Sequence, residues 1–167
     1  KTLEIRLDVN GGWSKDEALD KLKLLSEYHI HSVEQPIQPR QYDSMSRLIP
    51  ASPIPIALDE ELIGIHTYKD KVRMMEKLRP HYLVLKPSLH GGLLGCEEWL
   101  FIANNSHIHW WITSALESNL GLNAIAQWAS RYDRCYDMPQ GLGTGGLYEN
   151  NFPTNLVLDN YKLSLNR

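Results

Sequence analysis

The sequence contains little cysteine, no basic cluster and no long apolar run. Its two cysteines, Cys96 and Cys135, are too few for a disulfide framework, and they form no Cys-x-x-Cys pair. The net charge is −3, and without a basic stripe we expect neither a nucleic-acid nor a membrane partner. Apolar runs fall short of a bilayer span and charges interrupt the first residues, so no signal peptide is predicted. Together these absences favour a cytoplasmic location.

What the sequence does contain is enough apolar side chain for a buried core. Hydrophobic residues make up 43% of its 167 residues, and this length is typical of a single domain. We therefore predict one domain over residues 1–167. The chain has no initiator methionine and opens on a strand-like segment. We interpret it as a partial domain whose N-terminal portion is missing.

Strand-like and helix-like patterns alternate along the chain. Apolar residues recur at every second position in the former and at every third or fourth position in the latter. The predicted strands cover residues 3–8, 30–33, 54–58, 82–85 and 108–113, with a weaker strand at 135–139. The predicted helices cover residues 18–28, 42–48, 68–78, 93–103 and 122–129. Ser14 and Glu17 match the capping box that begins a helix.

Successive strand ends are almost equally spaced. They fall at Asp8, Glu34, Asp59, Lys86, Ser114 and Gly141, with separations of 26, 25, 27, 28 and 27 residues. Each separation suits one strand, one helix and two short loops, so we predict about six successive βα units. Winding in one direction gives an α/β fold of the (β/α)8 TIM-barrel type, which six units leave incomplete. A doubly wound open sheet is the alternative, but it would normally have a glycine-rich turn after its first strand.

Three of these strand ends carry a carboxylate. In a (β/α)8 barrel the C-terminal strand ends converge on one mouth, so Asp8, Glu34 and Asp59 would repel one another there unless a cation lay between them. Oxygen ligands favour Mg²⁺, with Mn²⁺ as an alternative, and no Cys or His pairing suits zinc. Taken singly, each acid also fits a turn former or a strand-end cap. Repetition at three consecutive strand ends favours the metal site.

Polar residues beside these carboxylates are candidates for substrate contacts. Lys86 leaves an apolar strand towards the same mouth, where it would be a catalytic cation beside the substrate, although a solvated lysine is the common alternative. Asn10 follows Asp8 by two residues and would orient a ligand or a water. Arg6 precedes Asp8 by two residues and would either steer an anionic substrate or merely balance Glu4.

The later strand ends predict a rim that binds an anionic group. Ser114 and the loop around Thr144 are candidates for substrate binding, together with the glycines at 141, 143, 145 and 146. Glycine leaves backbone N–H groups accessible to an anion, but glycine-rich loops are often only loops. The histidines show no ligand-like pairing. Only His90, just past Lys86, lies near a predicted site.

The ordered strand-end motifs resemble the enolase superfamily. The similarity is carried by Leu7-Asp8-Val9-Asn10-Gly11-Gly12-Trp13, Val33-Glu34-Gln35-Pro36-Ile37, Ala57-Leu58-Asp59-Glu60-Glu61, Leu85-Lys86-Pro87-Ser88 and Ser114-Ala115-Leu116-Glu117-Ser118. It extends over nearly the whole chain. Lysine rather than aspartate at position 86 is similar to the muconate-lactonising subgroup. The resemblance implies strands three to eight of the barrel, without the N-terminal capping domain.

The resemblance also implies a function. A Mg²⁺ ion held by Asp8, Glu34 and Asp59 would bind a small-molecule carboxylate substrate whose neighbouring carbon loses a proton, with charge stabilisation by Lys86. The stretches 110–119 and 140–145 are most similar to a dehydrating branch, a Mg²⁺-dependent lyase. Gly143-Thr144-Gly145 stands where dipeptide epimerases carry Asp-x-Asp.

Two other functions stay open beside the lyase. They are a racemase or epimerase of the same subgroup and a non-catalytic, metal-binding barrel remnant. The family's proton-transferring lysine belongs to a Lys-x-Lys motif on the second barrel strand, before the first strand seen here. We therefore expect the chain to be inactive alone. We also expect its two exposed sheet edges to favour a homo-oligomer.

Overall fold

A computed structural model of the protein describes residues 3–166, with the backbone alone at residue 136. The strands are β1 Arg6–Asp8, β2 Ser32–Glu34, β3 Ile56–Leu58, β4 Tyr82–Leu85, β5 His109–Ile112, β6 Leu156–Asp159 and β7 Lys162–Leu165. The helices are α1 Ala18–Leu25, α2 Tyr42–Ala51, α3 Tyr68–Leu78, α4 Gly92–Asn105, α5 Asn119–Ala129 and α6 Arg134–Asp137. Strands and helices alternate as predicted as far as α5.

Strands β1 to β5 form one sheet in which the spatial order follows the chain order. The pairings of β1 with β2, β2 with β3 and β3 with β4 are all parallel. Parallel neighbours joined by helical crossovers, with no reversal of strand order, are the arrangement of a barrel and not of a doubly wound sheet. The predicted TIM-type fold is confirmed as a five-stranded part of such a barrel.

The chain divides into two compact units. The first is the chain up to Val84 together with Glu98–Trp110, and the second is Leu85–Glu97 together with the chain from Trp111 onward. Each unit has its own buried apolar residues. The first unit buries Leu22, Val33, Met45, Ile56, Leu58, Leu62, Leu78 and Trp99. The second buries Leu85, Cys96, Ile112, Leu122, Ile125 and Trp128. The single domain over 1–167 stays a prediction.

The predicted elements at the start of the chain are partly wrong. Strand β1 begins at Arg6, and Leu3 and Ile5 are 85% and 39% exposed. In α1 the buried stripe consists of Ala18 and Leu22. The predicted helix extended to Tyr28, but this residue is 67% exposed, because the α-helix ends at Leu25 and passes into a 3-10 turn over Ser26–Tyr28.

The predicted strand at 135–139 is wrong, and with it the sixth complete βα unit. Residues 135–137 belong to the short helix α6, and the chain then forms an isolated parallel bridge between Gly141 and Thr113, directly after β5. The side-chain Oε1 of Gln140 accepts the N–H of Ile112 at 2.7 Å, where a neighbouring strand would supply a backbone carbonyl. A side chain thus replaces the expected strand.

Two further differences concern turn chemistry. The antiparallel hairpin of β6 and β7 was not predicted. Its two turn residues, Asn160 and Tyr161, both have positive φ, 45° and 64°, as a type I′ turn requires. Helix α2 extends to Ala51 and includes Pro50, which lies beyond the predicted end of the helix at residue 48. Among residues 3–166, no helix combines the length and hydrophobicity needed to cross a bilayer.

Candidate active site

The first two predicted metal ligands lie side by side at the ends of β1 and β2. Asp8 is the register partner of Glu34 in the parallel pairing. Register partners present their side chains on the same face of a sheet. Asp8 is exposed and Glu34 is half-buried, so both are accessible to an ion from solvent. The sheet register therefore brings these two carboxylates to one face.

Asp59 directly follows β3, and continuing the alternation of the strand predicts it on the same face. Glu34 is the register partner of Ala57, and residues two apart on a strand point to the same side. Asp59 is 1% exposed. Over residues 3–166, no group of three or more His, Cys, Asp or Glu side chains is arranged so that it could hold a metal ion. The register and the all-oxygen donor set fit a hard divalent cation, whereas the side chains do not converge on one point.

Asp8 and Arg6 make the local contacts that the sequence offered as alternatives to a functional role: a turn for Asp8 and an ion pair with Glu4 for Arg6. The backbone N–H of Asn10 donates to Asp8 Oδ1 at 3.0 Å, and Asn10 has φ 49°, so Asp8 forms a turn. Arg6 forms a salt bridge with Glu4 at 2.8 Å. These contacts do not test a role towards a substrate. Substrate binding by Arg6 and ligand orientation by Asn10 stay predictions.

Sequence reasoning missed a buried polar pair, Gln35 and Glu61, beside the predicted ligands. Both residues are 0% exposed, and Gln35 Nε2 donates to Glu61 Oε2 at 3.1 Å. Burial raises the pKa of the Glu61 carboxyl, while hydrogen bonds from the Arg40 backbone and from Gln35 act in the opposite direction. The only sequence signal for this pair is its position, since Gln35 directly follows Glu34 and Glu61 lies within Asp59-Glu60-Glu61.

In the second unit, Lys86 follows β4 and is half-buried. Its backbone N–H donates to Nδ1 of His90 at 3.0 Å, and His90 is 2% exposed. A ring nitrogen that accepts a backbone N–H carries no proton, so the neutral ring has its proton on Nε2. His90 thus fixes the turn that follows Lys86. The catalytic role of Lys86 stays a prediction.

The predicted rim residues Ser114, Gly141 and Thr144 are brought together in this unit. Ser114 is 5% exposed, and its hydroxyl lies 2.7 Å from the hydroxyl of Thr144. The Ser114 N–H donates to the Gly141 carbonyl at 3.0 Å, and the Leu116 N–H donates to the Ser114 hydroxyl at 3.2 Å. Ser114 therefore joins two loops through both its backbone and its side chain.

Gly141 is required by close packing. A Cβ at this position would lie 2.2 Å from Thr113 Oγ1 and 2.7 Å from Thr113 Cβ. The Gly141 N–H donates to the Ile112 carbonyl at 2.8 Å, so this group is not available to an anion as the glycine pattern suggested. By contrast, a Cβ on Gly143 would make only an ordinary contact with Leu158, at 3.4 Å. Its predicted substrate role stays open.

Glu117 is a second residue whose role the sequence did not reveal. Its two carboxylate oxygens accept the N–H of Ala115 at 3.0 and 2.9 Å. The hydroxyl of Ser88 also donates to this carboxylate. Glu117 thereby holds together the loops that follow β4 and β5, which carry Lys86 and Ser114.

The first unit also contains an open cleft of about 920 Å³, away from the carboxylates. It is lined by residues that precede β3, β4 and β5 and by side chains of α3 and α4, including Pro55, His81, Phe101 and Ile108. In TIM barrels conserved features at this N-terminal end of the strands serve stability, whereas catalytic residues lie at the C-terminal end. The size of the cleft alone therefore does not make it the active site.

A parallel sheet with carboxylates at consecutive strand ends is the arrangement of the enolase barrel, and comparison with known proteins agrees. The sequence matches the family described as "Enolase C-terminal domain-like" over residues 1–166, and the chain belongs to this family. The predicted resemblance is confirmed.

Within this family, similarity is high to an o-succinylbenzoate synthase from Desulfotalea psychrophila. That protein is 52% identical over 157 residues, which are 94% of this chain and 42% of the relative. The crystal structure of MenC from the same organism has a TM-score of 0.92 at 50% identity and covers 98% of this chain and 45% of that chain. The chain thus spans less than half the length of the relative it matches.

A second solved structure carries a metal. It is a dipeptide epimerase from Cytophaga hutchinsonii complexed with Mg and the dipeptide D-Ala-L-Val. It is 26% identical with a TM-score of 0.82, and covers 96% of this chain and 42% of that chain. An o-succinylbenzoate synthase and a dipeptide epimerase are therefore both similar to this chain.

Proposed function

We propose that this chain is part of the catalytic barrel of a Mg²⁺-dependent lyase that forms o-succinylbenzoate. The reaction removes water from 2-succinyl-6-hydroxy-2,4-cyclohexadiene-1-carboxylate, a step of menaquinone biosynthesis. The observation that carries this proposal is the 52% identity to an o-succinylbenzoate synthase over nearly the whole chain. We also propose a cytoplasmic location, and an association between copies of the chain.

We propose that Asp8, Glu34 and Asp59 hold the Mg²⁺ ion, with Mn²⁺ as a substitute. The shared face of their strands and the oxygen-only donor set support this assignment. When bound, such an ion holds a substrate carboxylate and offsets the negative charge that develops when the adjacent carbon loses its proton, chemistry that is general to enolase-superfamily sites. Since the three carboxylates are not gathered around one point in the structure, binding would require their side chains to move.

The other proposed roles belong to the second unit and to β1. Lys86 would contribute positive charge near the reacting carbon, which favours the deprotonated species. Ser114, Gly143 and Thr144 would contact the carboxylates of the substrate, and Arg6 would attract it. Gly141 would act by allowing the loop to approach β5 closely.

None of the residues assigned above is the lysine that transfers the proton in this family. The family's Lys-x-Lys motif belongs to a strand end, whereas the Lys21-Leu22-Lys23 triplet of this chain lies on α1 with Leu22 fully buried. We therefore propose that this chain acts together with a further segment that carries the motif.

A chimera tests the proposal directly. This chain would replace the matching region of the Desulfotalea psychrophila enzyme, and formation of o-succinylbenzoate would be followed by absorbance with Mg²⁺ present and after chelation. We expect metal-dependent dehydration, and its loss in Lys86→Ala. A matched control is Lys69→Ala, which removes an exposed lysine on α3.

The same chimera separates the alternative functions. The chimera could instead racemise an N-succinylamino acid or epimerise a dipeptide at a rate equal to or above that of dehydration. This result would overturn the proposed lyase activity in favour of a racemase or epimerase. The epimerase relative with bound Mg favours that branch, and Gly143-Thr144-Gly145 disfavours it. A chimera that binds Mn²⁺ but turns over none of these substrates would favour the hypothesis of a non-catalytic, metal-binding barrel remnant.

A further inference from the structure

We infer that Gln35 is a positioning residue for the proposed metal site, which it serves by joining the loops after β1, β2 and β3, with Glu61 as its counterpart. The inference rests on the proposed metal site formed by Asp8, Glu34 and Asp59. Gln35 directly follows Glu34, and its contacts reach the segments that carry the other two carboxylates.

The side chain of Gln35 uses its full hydrogen-bonding capacity. Its Oε1 accepts the backbone N–H of Asp59 at 3.3 Å and that of Glu61 at 3.1 Å. Its Nε2 donates to the Ile37 carbonyl at 3.0 Å and to Glu61 Oε2 at 3.1 Å. An amide has two acceptor positions and two donors, so none of the four remains unused. Because Gln35 is fully buried, each lost bond would leave a buried group unsatisfied.

The backbone of Gln35 extends the connection to the other strands. Its N–H donates to the Ala57 carbonyl at 2.9 Å, and its carbonyl accepts the N–H of Gly11 at 2.7 Å. Gly11 lies in the turn after Asp8. Gln35 directly follows Glu34 at the end of β2. It thus contacts both the turn after β1 and the segment after β3.

Gln35 also adopts an unusual conformation. Its φ is 37°, in the left-handed region that residues other than glycine rarely enter. Such a conformation persists only where surrounding contacts hold it, and it occurs preferentially at functional sites. Here the conformation turns the side chain inward to Asp59 and Glu61 directly after Glu34.

Glu61 completes the connection from the other side. Its Oε1 accepts the backbone N–H of Arg40 at 2.7 Å, while its Oε2 accepts from Gln35. The carboxylate therefore fixes both the Gln35 amide and the loop that follows β2. Residues that orient metal ligands by such contacts control metal affinity without touching the metal, and losing one typically lowers affinity about 10- to 100-fold.

The test measures Mn²⁺ binding to the 167-residue chain by electron paramagnetic resonance, with unfolding followed in parallel. Gln35→Leu removes all four side-chain bonds, and Gln35→Glu places two carboxylates together. We expect each to weaken Mn²⁺ binding about 10- to 100-fold. The double variant Gln35→Glu with Glu61→Gln restores the bond between residues 35 and 61, with the amide now on residue 61, but not the bond to the Ile37 carbonyl. We therefore expect its Mn²⁺ affinity to lie above that of Gln35→Glu alone and below that of the wild type.

A matched control separates positioning from stability. Leu22→Ala removes a fully buried side chain of α1 in the same unit and is expected to destabilise the fold without changing Mn²⁺ affinity. Equal Mn²⁺ affinity in wild type and Gln35→Leu, or an equal loss in Leu22→Ala, would overturn the positioning role alone. A wild-type chain that binds no Mn²⁺ would overturn the proposed metal site and this inference with it.

Discussion

The two units hold their candidate functional residues by different means. In the first, the carboxylates stand at the ends of paired strands, and the backbone register decides their face. In the second, the rim depends on side chains: Gln140 replaces a strand beside Ile112, and Ser114 is bonded to Thr144. A register is specified by every buried residue of a strand, whereas a side-chain anchor depends on one residue. We therefore expect the two regions to respond differently to single substitutions.

The largest effect is expected in the core that fixes the first register. Ile56 of β3 is fully buried, so Ile56→Ala should lower the free energy of unfolding by about 2–5 kcal/mol. Urea denaturation provides the measurement. Lys69→Ala on the exposed face of α3 is the control and should stay within about 0.5 kcal/mol of wild type. A small loss for Ile56→Ala would mean that this strand contributes little to the register.

The next largest effect tests the close approach at Gly141. Gly141→Ala places a methyl group 2.2 Å from Thr113 Oγ1, and such overpacking should cost about 1–3 kcal/mol. Gly146→Ala is the matched control, since a Cβ there meets no atom within 4 Å. Thermal unfolding of the two variants compares them. Equal melting temperatures would show that the loop simply shifts away from β5.

A smaller effect should isolate the side-chain anchor. Gln140→Leu leaves the N–H of Ile112 without its acceptor, at a cost of about 1–2 kcal/mol. Hydrogen exchange of the amides of Ile112 and Ser114 should accelerate, while that of Val33 in the first unit should not. The exposed Gln127→Leu on α5 is the control. Unchanged exchange at Ile112 would assign the anchoring of this rim to the backbone bridge instead.

The smallest effect concerns acid stability of the first unit. Burial lowers the pKa of His81 below its ordinary value of 6.5, and its Nδ1 accepts the N–H of Ile56 at 3.1 Å. In acid, the folded state then binds fewer protons than the unfolded state. The contribution of neutral His81 to the free energy of unfolding is therefore complete above pH 6.5 and is lost as pH falls through the lowered pKa. His81→Gln should therefore reduce the acid-side slope of the unfolding free energy. Urea midpoints of both proteins measured from pH 5 to 7.5 provide the test. An acid-side slope equal in wild type and His81→Gln would show that His81 does not cause the loss of stability in acid.

The sequence predicted the first region better than the second for a physical reason. Buried parallel strands require runs such as Ile54 to Leu58, and equal spacing of strand ends follows from one repeated βα unit. Helix α3 and strand β4 have the predicted bounds because Thr67 caps the helix through a bond with Asp70, and Pro80 follows its end. Local patterns of this kind carry the fold.

What the sequence could not reveal depends on long-range contacts. Gln140 occupies the place of a strand because of a partner 28 residues away, and the Gln35 and Glu61 pair is separated by 26 residues. No local pattern distinguishes these side chains from ordinary loop residues. The predicted capping box is half present: the Ser14 N–H donates to Glu17, but α1 begins at Ala18, and its N-cap residue Glu17 makes no side-chain cap bond.

The tight contact at Gly141 determines where the rim tolerates variation. A side chain at residue 141 would overpack against Thr113, whereas a Cβ at position 143 or 146 meets no atom closer than 3.4 Å. Variants designed to alter this rim should therefore diversify those two positions and leave residue 141 untouched.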